Sequence, residues 1–145
     1  MQFVAKFFDD LSGSEVYEIL KARAKVFMLE QEIHCLDMDD MDYQSRHCFL
    51  EEKGKIVAYL RAFYKDETHC AVKIGRVLTI NHGAGLGRIL MEKSFADLQT
   101  VMPCEKICVD SQKQASGFYE KFGFQPVSDE FMEEGIPHIT MVKEV

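Results

Sequence analysis

Hydrophobic spacing changes period several times along the chain, and each change marks an element. Phe3 to Phe8 is short and mostly apolar, the length of a strand. Ser12 and Glu15 stand at capping-box spacing, in which the serine oxygen takes one orphan amide and the glutamate reaches back to another. Val16, Ile19, Leu20, Ala24 and Phe27 then mark the apolar stripe of a first helix. Residues 29–43 lose that period and turn acidic, which predicts a loop with a short helical turn. His47 to Glu52 and Lys55 to Tyr64 predict a β-hairpin around Lys53-Gly54. Val72 to Ile80 reads as a further strand, running straight into a glycine-rich turn.

The second half alternates helix and strand. Leu86, Ile89, Leu90, Phe95 and Leu98 give a helix over about 85–99 an apolar face. Pro103 breaks the chain before a strand over 106–109. Residues 112–122 predict an amphipathic helix with Gly123 as its C-cap, and strands follow over 124–128 and 136–142. Strand, helix, several strands, helix, strand, helix, strands is the order of an α/β fold with a mixed sheet. No repeat, low-complexity tract or Pro/Gly/Ser linker interrupts it, so one domain over 1–145 is expected.

Composition narrows the class. The chain has 145 residues, 47% hydrophobic and 28% charged, enough for one globular core. Its net charge of −7 makes it a poor general binder of nucleic acid or anionic membrane, and neither partner is expected. A cationic or neutral small partner suits it better. Met1 to Lys6 has no basic stretch leading into an apolar one, so no secretory signal is expected. No apolar run reaches the roughly 18 residues of a membrane span. Five cysteines at irregular spacing do not form a disulfide framework, and reduced thiols in the cytoplasm are the simplest expectation.

The chemistry concentrates after the strand over 72–80. Gly83, Gly85 and Gly87 alternate between that strand and the next helix. Such a turn lets the backbone approach a ligand, and the helix start offers unpaired amides and the positive end of a dipole. Together these suit a phosphate or pyrophosphate, with Arg88 able to add a charge-assisted contact. A P-loop would need Gly-Lys-Ser/Thr where Gly87-Arg88-Ile89 stands, and a dinucleotide fingerprint would need its last glycine one position later.

The segment His82-Gly83-Ala84-Gly85-Leu86-Gly87 resembles the coenzyme A signature of the GNAT superfamily of N-acetyltransferases, Gln/Arg-x-x-Gly-x-Gly/Ala, with His82 in place of the usual Gln or Arg. Ala115-Ser116-Gly117-Phe118-Tyr119-Glu120-Lys121-Phe122-Gly123-Phe124 resembles the second hallmark, Ala-x-x-Phe-Tyr-x-Lys-x-Gly-Phe, although Gln112 stands where Asn is common. Val26-Phe27, Glu30-Gln31, the acidic residues from Asp37 to Asp42, His47, Ile74-Gly75-Arg76-Val77 and Glu134-Gly135-Ile136-Pro137-His138 resemble the ElaA-like branch, though Asp39-Asp40-Met41-Asp42 lacks that branch's usual Asp-Gly pair. The resemblance implies a mixed, mostly antiparallel sheet of six to seven strands flanked by about four helices. It implies a splay beside Val77-Leu78-Thr79 that takes the pantetheine arm of acetyl-CoA as an extra strand would be taken. His82, Gly83, Ala84, Gly85, Leu86, Gly87, Arg88, Gln112, Ser116, Phe118 and Tyr119 complete the implied cofactor site. Tyr119 is the implied general acid for the departing thiolate, whose free pKa lies near ~8.5. The superfamily also leaves a homodimer open.

The resemblance implies direct transfer of an acetyl group to a primary amine, which must first lose a proton. Backbone amides near Val77-Leu78 could polarise the thioester carbonyl. Glu30 and His138 are the leading candidates for the base, followed by His47 and Asp110, and each could equally serve as a structural partner. Arg76 could bind an acidic group of the acceptor or pair with the acidic loop. Asp37, Asp39, Asp40 and Asp42 do not fit a calcium loop, because Met41 and Asp42 stand where a ligand and a glycine belong. The three His-Cys pairs lack zinc spacing, so no metal is expected. A non-catalytic acyl-CoA-binding regulatory module would keep the glycine loop without needing Tyr119. A structural domain that binds no nucleotide is a third possibility.

Overall fold

Ser12 starts the first helix as its spacing requires. Its Oγ accepts from the Glu15 amide at 3.1 Å, and Glu15 Oε1 accepts from the Ser12 amide at 2.8 Å. Helix α1 (Gly13–Arg23) buries Ile19 and Ala22 and runs into a wider π-type turn over Ala24–Glu30, where the Gln31 amide donates to the Val26 carbonyl. Such turns recur at functional sites. The computed structural model describes residues 1–81 and 83–145.

One sheet carries the chain: β1 (Gln2–Phe7), β2 (Arg46–Glu52), β3 (Lys55–Tyr64), β4 (Ala71–Thr79), β5 (Lys106–Gln112), β6 (Gln125–Pro126), β7 (Phe131–Glu133) and β8 (Ile136–Glu144). Their order is β1-β2-β3-β4-β5-β8-β6, with β7 beside β8. Every pair is antiparallel except β4–β5. That parallel pair needs a long crossover, and helix α2 (Leu86–Val101) supplies it. The expected mixed, mostly antiparallel sheet is thus present, with short strands β6 and β7 added to it.

Period-2 alternation divides the core between the two faces. Leu90, Met91 and Leu98 of α2 pack with Cys48, Leu50, Leu60, Ile74 and Val109. On the other face Ile19, Ala22 and Val26 pack with Phe49, Tyr59 and Leu78. Lys53 and Gly54 both take positive φ, 52° and 77°, as a tight two-residue hairpin turn requires.

Three local expectations shift. β5 continues to Gln112, because Ser111 and Gln112 pair with Ile139 and His138 of β8. The helix expected over 112–122 is therefore a 3-10 turn, Lys113–Ala115, followed by the short α3 (Ser116–Glu120). Gly123 caps it at φ 93°, and the Phe124 amide donates back to the Tyr119 carbonyl. The strand expected over 124–128 shrinks to β6, and β7 forms a hairpin with β8 through Glu134-Gly135, both at positive φ.

Candidate functional site

The parallel ladder between β4 and β5 is short. It pairs Ala71–Ile74 with Lys106–Val109 and ends there, while β4 runs on to Thr79 and β5 to Gln112. The sheet opens at that point. A bulge in β4 lies at the mouth: Tyr59 pairs with Leu78 and Arg61 with Gly75, so Arg76 and Val77 together oppose Leu60. Val77 packs toward the α2 side, whereas Leu78 is buried on the α1 side.

The glycine turn follows directly. Gly83 and Gly85 take φ of 84° and 75°, values that favour glycine, and a Cβ on either would meet open space. Gly85 is the N-cap of α2 and gives it no side-chain cap, so among the described residues no side chain caps the first amides of this 16-residue helix. Gly87 is needed for another reason. A Cβ there would stand 3.1 Å from the Phe118 ring and 3.8 Å from the Thr79 methyl, so α2, α3 and the end of β4 meet at this position. Arg88 pairs with Glu92 at 2.9 Å on the exposed side of α2, a weak contact that leaves it free to swing. His82 lies outside the described residues.

Tyr119 is 6% exposed, wedged edge-on against Phe118 and Phe124. Burial pushes its phenol well above the usual tyrosine range, so it holds its proton at neutral pH. Ser116 and Phe118 on the same short helix are half-buried.

Both leading base candidates border the end of β5. Gln31, next to Glu30, accepts from Gln112 Nε2 at 2.8 Å, and Gln112 pairs with His138 across β5–β8. His138 is buried to 7% exposure. Its Nδ1 lies 2.7 Å from the Ile136 carbonyl, which can only accept, so Nδ1 carries the proton. That leaves Nε2 as the basic nitrogen, 3.5 Å from Glu133. Glu30 is exposed at the end of the π-type turn.

The other two candidates are engaged elsewhere. His47 Nδ1 lies 2.7 Å from the Tyr59 hydroxyl and Nε2 2.9 Å from the Asp42 carbonyl, inside the protein. Burial lowers its pKa. Asp110 has both oxygens occupied, by Lys73 at 2.9 Å and by the Thr140 hydroxyl at 2.8 Å. Burial would raise its pKa, but these two partners outweigh that and hold it low.

The acidic loop is tied inward by three arginines. Arg23, fully buried on α1, donates to Asp37 at 2.8 Å and to Asp42 at 2.7 Å. Arg61 on β3 grips both oxygens of Asp39 at 2.7 and 2.6 Å and reaches Asp42 at 3.1 Å. Arg76 donates to the Asp37 carboxylate and carbonyl, each at 2.8 Å. Of the two roles open to Arg76, pairing with the loop is the one seen. Arg23 and Arg61 escaped the sequence reading, although a signal existed: Arg23 lies four residues after Ile19 on the buried stripe, and Arg61 shares a strand face with Tyr59.

The comparisons agree with this geometry. A family model described as an acetyltransferase (GNAT) domain matches residues 8–145. The chain belongs to the GNAT acetyltransferase family. Within it the chain is ElaA-like: protein ElaA of Escherichia coli K12 is 34% identical over 142 residues, spanning 94% of this chain and 92% of that protein. A UPF0039 protein of Schizosaccharomyces pombe is also 34% identical, across 97% and 95% of the two chains. The crystal structure of Escherichia coli ElaA superposes with a TM-score of 0.91 at 31% identity, over 99% of both chains. An acyl-CoA N-acyltransferase from Pseudomonas aeruginosa gives 0.91 at 28%, again over 99% of both. An aminoglycoside 6′-N-acetyltransferase complexed with coenzyme A shares the fold at a TM-score of 0.73 and 11% identity.

Proposed function

We propose that this GNAT domain, taken as residues 1–145, is an N-acetyltransferase that uses acetyl-CoA and passes the acetyl group directly to a primary amine. The observation that carries the reading is the junction of two features. The β4–β5 ladder stops at Ile74 and Val109, and within a few residues the chain turns through Gly83 and Gly85 into the uncapped start of α2. An opened parallel pair suits an extended arm, and an uncapped helix start suits a pyrophosphate. The residues present therefore fit coenzyme A.

Bound acetyl-CoA would supply an activated acyl thioester. The amides of Gly83, Ala84 and Gly85, with the start of α2 at Leu86, Gly87 and Arg88, hold the pyrophosphate. The backbone of Val77, Leu78 and Thr79 pairs along the pantetheine arm, and the Val77-Leu78 amides polarise the thioester carbonyl. Ser116, Phe118 and Gln112 line the β5–α3 lip. Tyr119 would donate a proton to the sulfur as it leaves; its phenol is protonated at neutral pH, and burial, which raises its pKa, makes contact with the sulfur rather than acidity the basis of the role. Glu30 or His138 takes the amine proton, directly or through water. The five unpaired thiols suit a reducing compartment, and this reading places the protein in the cytoplasm.

The test is a panel of peptides, polyamines and amino sugars, followed by release of CoA thiol and by mass detection of acetylated product. Turnover on any amine supports the enzyme. Tight acetyl-CoA binding without turnover across the whole panel would replace it with an acyl-CoA-binding regulatory module.

A further inference from the structure

Arg76 sits in a backbone conformation it would not choose. Its φ is 51°, in the left-handed region, which strains any residue that carries a Cβ. Glycine would remove that strain, and a glycine is available one position earlier. Yet Gly75 has no left-handed φ, and a Cβ on it would meet nothing within 4 Å. The chain thus places arginine at the strained position, and something outside β4 must hold it there.

That something is Asp37. Arg76 Nε donates to Asp37 Oδ1 and Nη2 to the Asp37 carbonyl, both at 2.8 Å. The other oxygen, Oδ2, accepts from Arg23 Nε at 2.8 Å, and Arg23 Nη2 reaches the same carbonyl at 3.3 Å. Arg23 is fully buried on α1. Asp37 is therefore a bridge between a buried anchor and the strained residue of the bulge. The bulge stands just past Ile74, where the ladder with β5 ends, and Leu78 resumes the pairing with Tyr59 directly after it.

We infer that Asp37 is a positioning residue for acyl transfer, holding the β4 bulge through Arg76 so that the amides after it face the thioester carbonyl. This rests on the acyl-CoA reading above. The chemistry needs it because hydrogen-bond donors polarise a carbonyl only when fixed before the reaction. The tether also runs to the loop that begins at Gln31, and Gln31 bonds Gln112 on the opposite lip.

Asp37→Asn is the informative variant. An amide keeps one acceptor oxygen but turns an NH2 donor toward the second guanidinium, so one of the two side-chain bonds is lost and that arginine is left with the main-chain carbonyl alone. Two readouts are independent of turnover. In the ligand-free protein the amide order parameters of Arg76 and Val77 should fall from about 0.85 toward 0.6. With carbonyl-labelled acetyl-CoA bound, the infrared carbonyl stretch should be lowered relative to water in the wild type and return toward the water value in the variant. If Asp37→Asn does not fold, Arg76→Met leaves the Arg23–Asp37 pair standing, keeps a Cβ at the same φ and removes only the guanidinium of the tether, and both readouts should move the same way. Unchanged order parameters and stretch would overturn the inference. Lower order parameters with an unchanged stretch would also overturn it, since the tether would then serve stability alone. Failure of wild-type protein to bind acetyl-CoA in calorimetry is a different result, because it removes the acyl-CoA reading itself.

Discussion

At Tyr119 the packing that the fold requires surrounds the residue to which an acid role is proposed. The aromatic walls of Phe118 and Phe124 bury the ring, and that burial raises the phenol pKa and keeps the proton on oxygen. An ordinary tyrosine also holds its proton at neutral pH, and the raised pKa makes this one a weaker acid, so the proposed donor role rests on where the hydroxyl lies. Tyr119→Phe keeps the packing and removes the donor. We expect kcat to fall about 100-fold with little change in acetyl-CoA Kd, the scale of losing a general acid. Steady-state rates beside calorimetric Kd check this, and an unchanged kcat would remove Tyr119 from the acid role. At Gly85 the left-handed φ of 75° means that any side chain adds backbone strain. A charge effect is therefore isolated by comparing Gly85→Glu with Gly85→Asn, since asparagine tolerates that φ best. Gly85→Glu should lose acetyl-CoA binding beyond detection while Gly85→Asn keeps most of it, at matched Tm. Equal affinities would place the pyrophosphate elsewhere. Gly87→Ala is a different case, because its Cβ would press the Phe118 ring at 3.1 Å. That variant should lose about 1–3 kcal/mol of stability by overpacking, readable from urea unfolding.

Elements whose signal is local were legible from residue spacing. The Ser12/Glu15 box, the Lys53-Gly54 turn, the glycine turn before α2 and the Gly123 cap all appear where their residues predict them. Elements fixed by distant partners were not. β5 extends because β8 pairs with it, and α3 shrinks as a result. The loop over 31–45 reads as an acidic surface until Arg23, Arg61 and Arg76, from three separate elements, are seen to converge on it. At the candidate site the glycine turn was legible, whereas Glu30 and His138 were ranked above His47 and Asp110 on the resemblance alone, since as residues His47 and His138 differ only in their partners. The pH response of this region follows. His47 has its folded pKa lowered by burial, so the unfolded chain binds a proton that the folded one refuses. Stability is full above the unfolded value of about 6.5 and falls as pH drops below it. A second loss begins below about pH 4. Arg61 holds Asp39 well below the carboxylate range, and Asp42 is pushed up by burial but pulled down further by Arg23 and Arg61. Tm measured from pH 8 to 3 should show both steps, and His47→Gln should flatten only the upper one. A single step near pH 4 in both proteins would contradict the buried, neutral assignment of His47.

At the scale of the molecule the sheet is two halves held by a narrow waist. Among the described residues, β1 to β4 and β5 to β8 share only the Ala71–Ile74 and Lys106–Val109 ladder within the sheet. α2 covers one face of the β1–β4 half, and the Gln31–Gln112 bond spans the opened end. Such a waist gives catalytic access at the expense of local stability, because the strand segments beyond it lack neighbours on one side. A ligand lying in the splay should supply the missing neighbour. The expectation has two parts. Acetyl-CoA at about 100 times its Kd should stabilise the fold by about 2.7 kcal/mol, a Tm rise of roughly 5–10 °C for a chain of this size. Amide exchange should slow most in 75–79 of β4 and 110–112 of β5, and much less in β1 and β2. Uniform protection would mean that the ligand stabilises the fold without lying between the halves. Protection confined to the start of α2 would mean that the pyrophosphate site is occupied while the arm lies outside the sheet, in which case the amides of Val77 and Leu78 could not reach the thioester. Only protection on both lips fits an arm held as an extra strand.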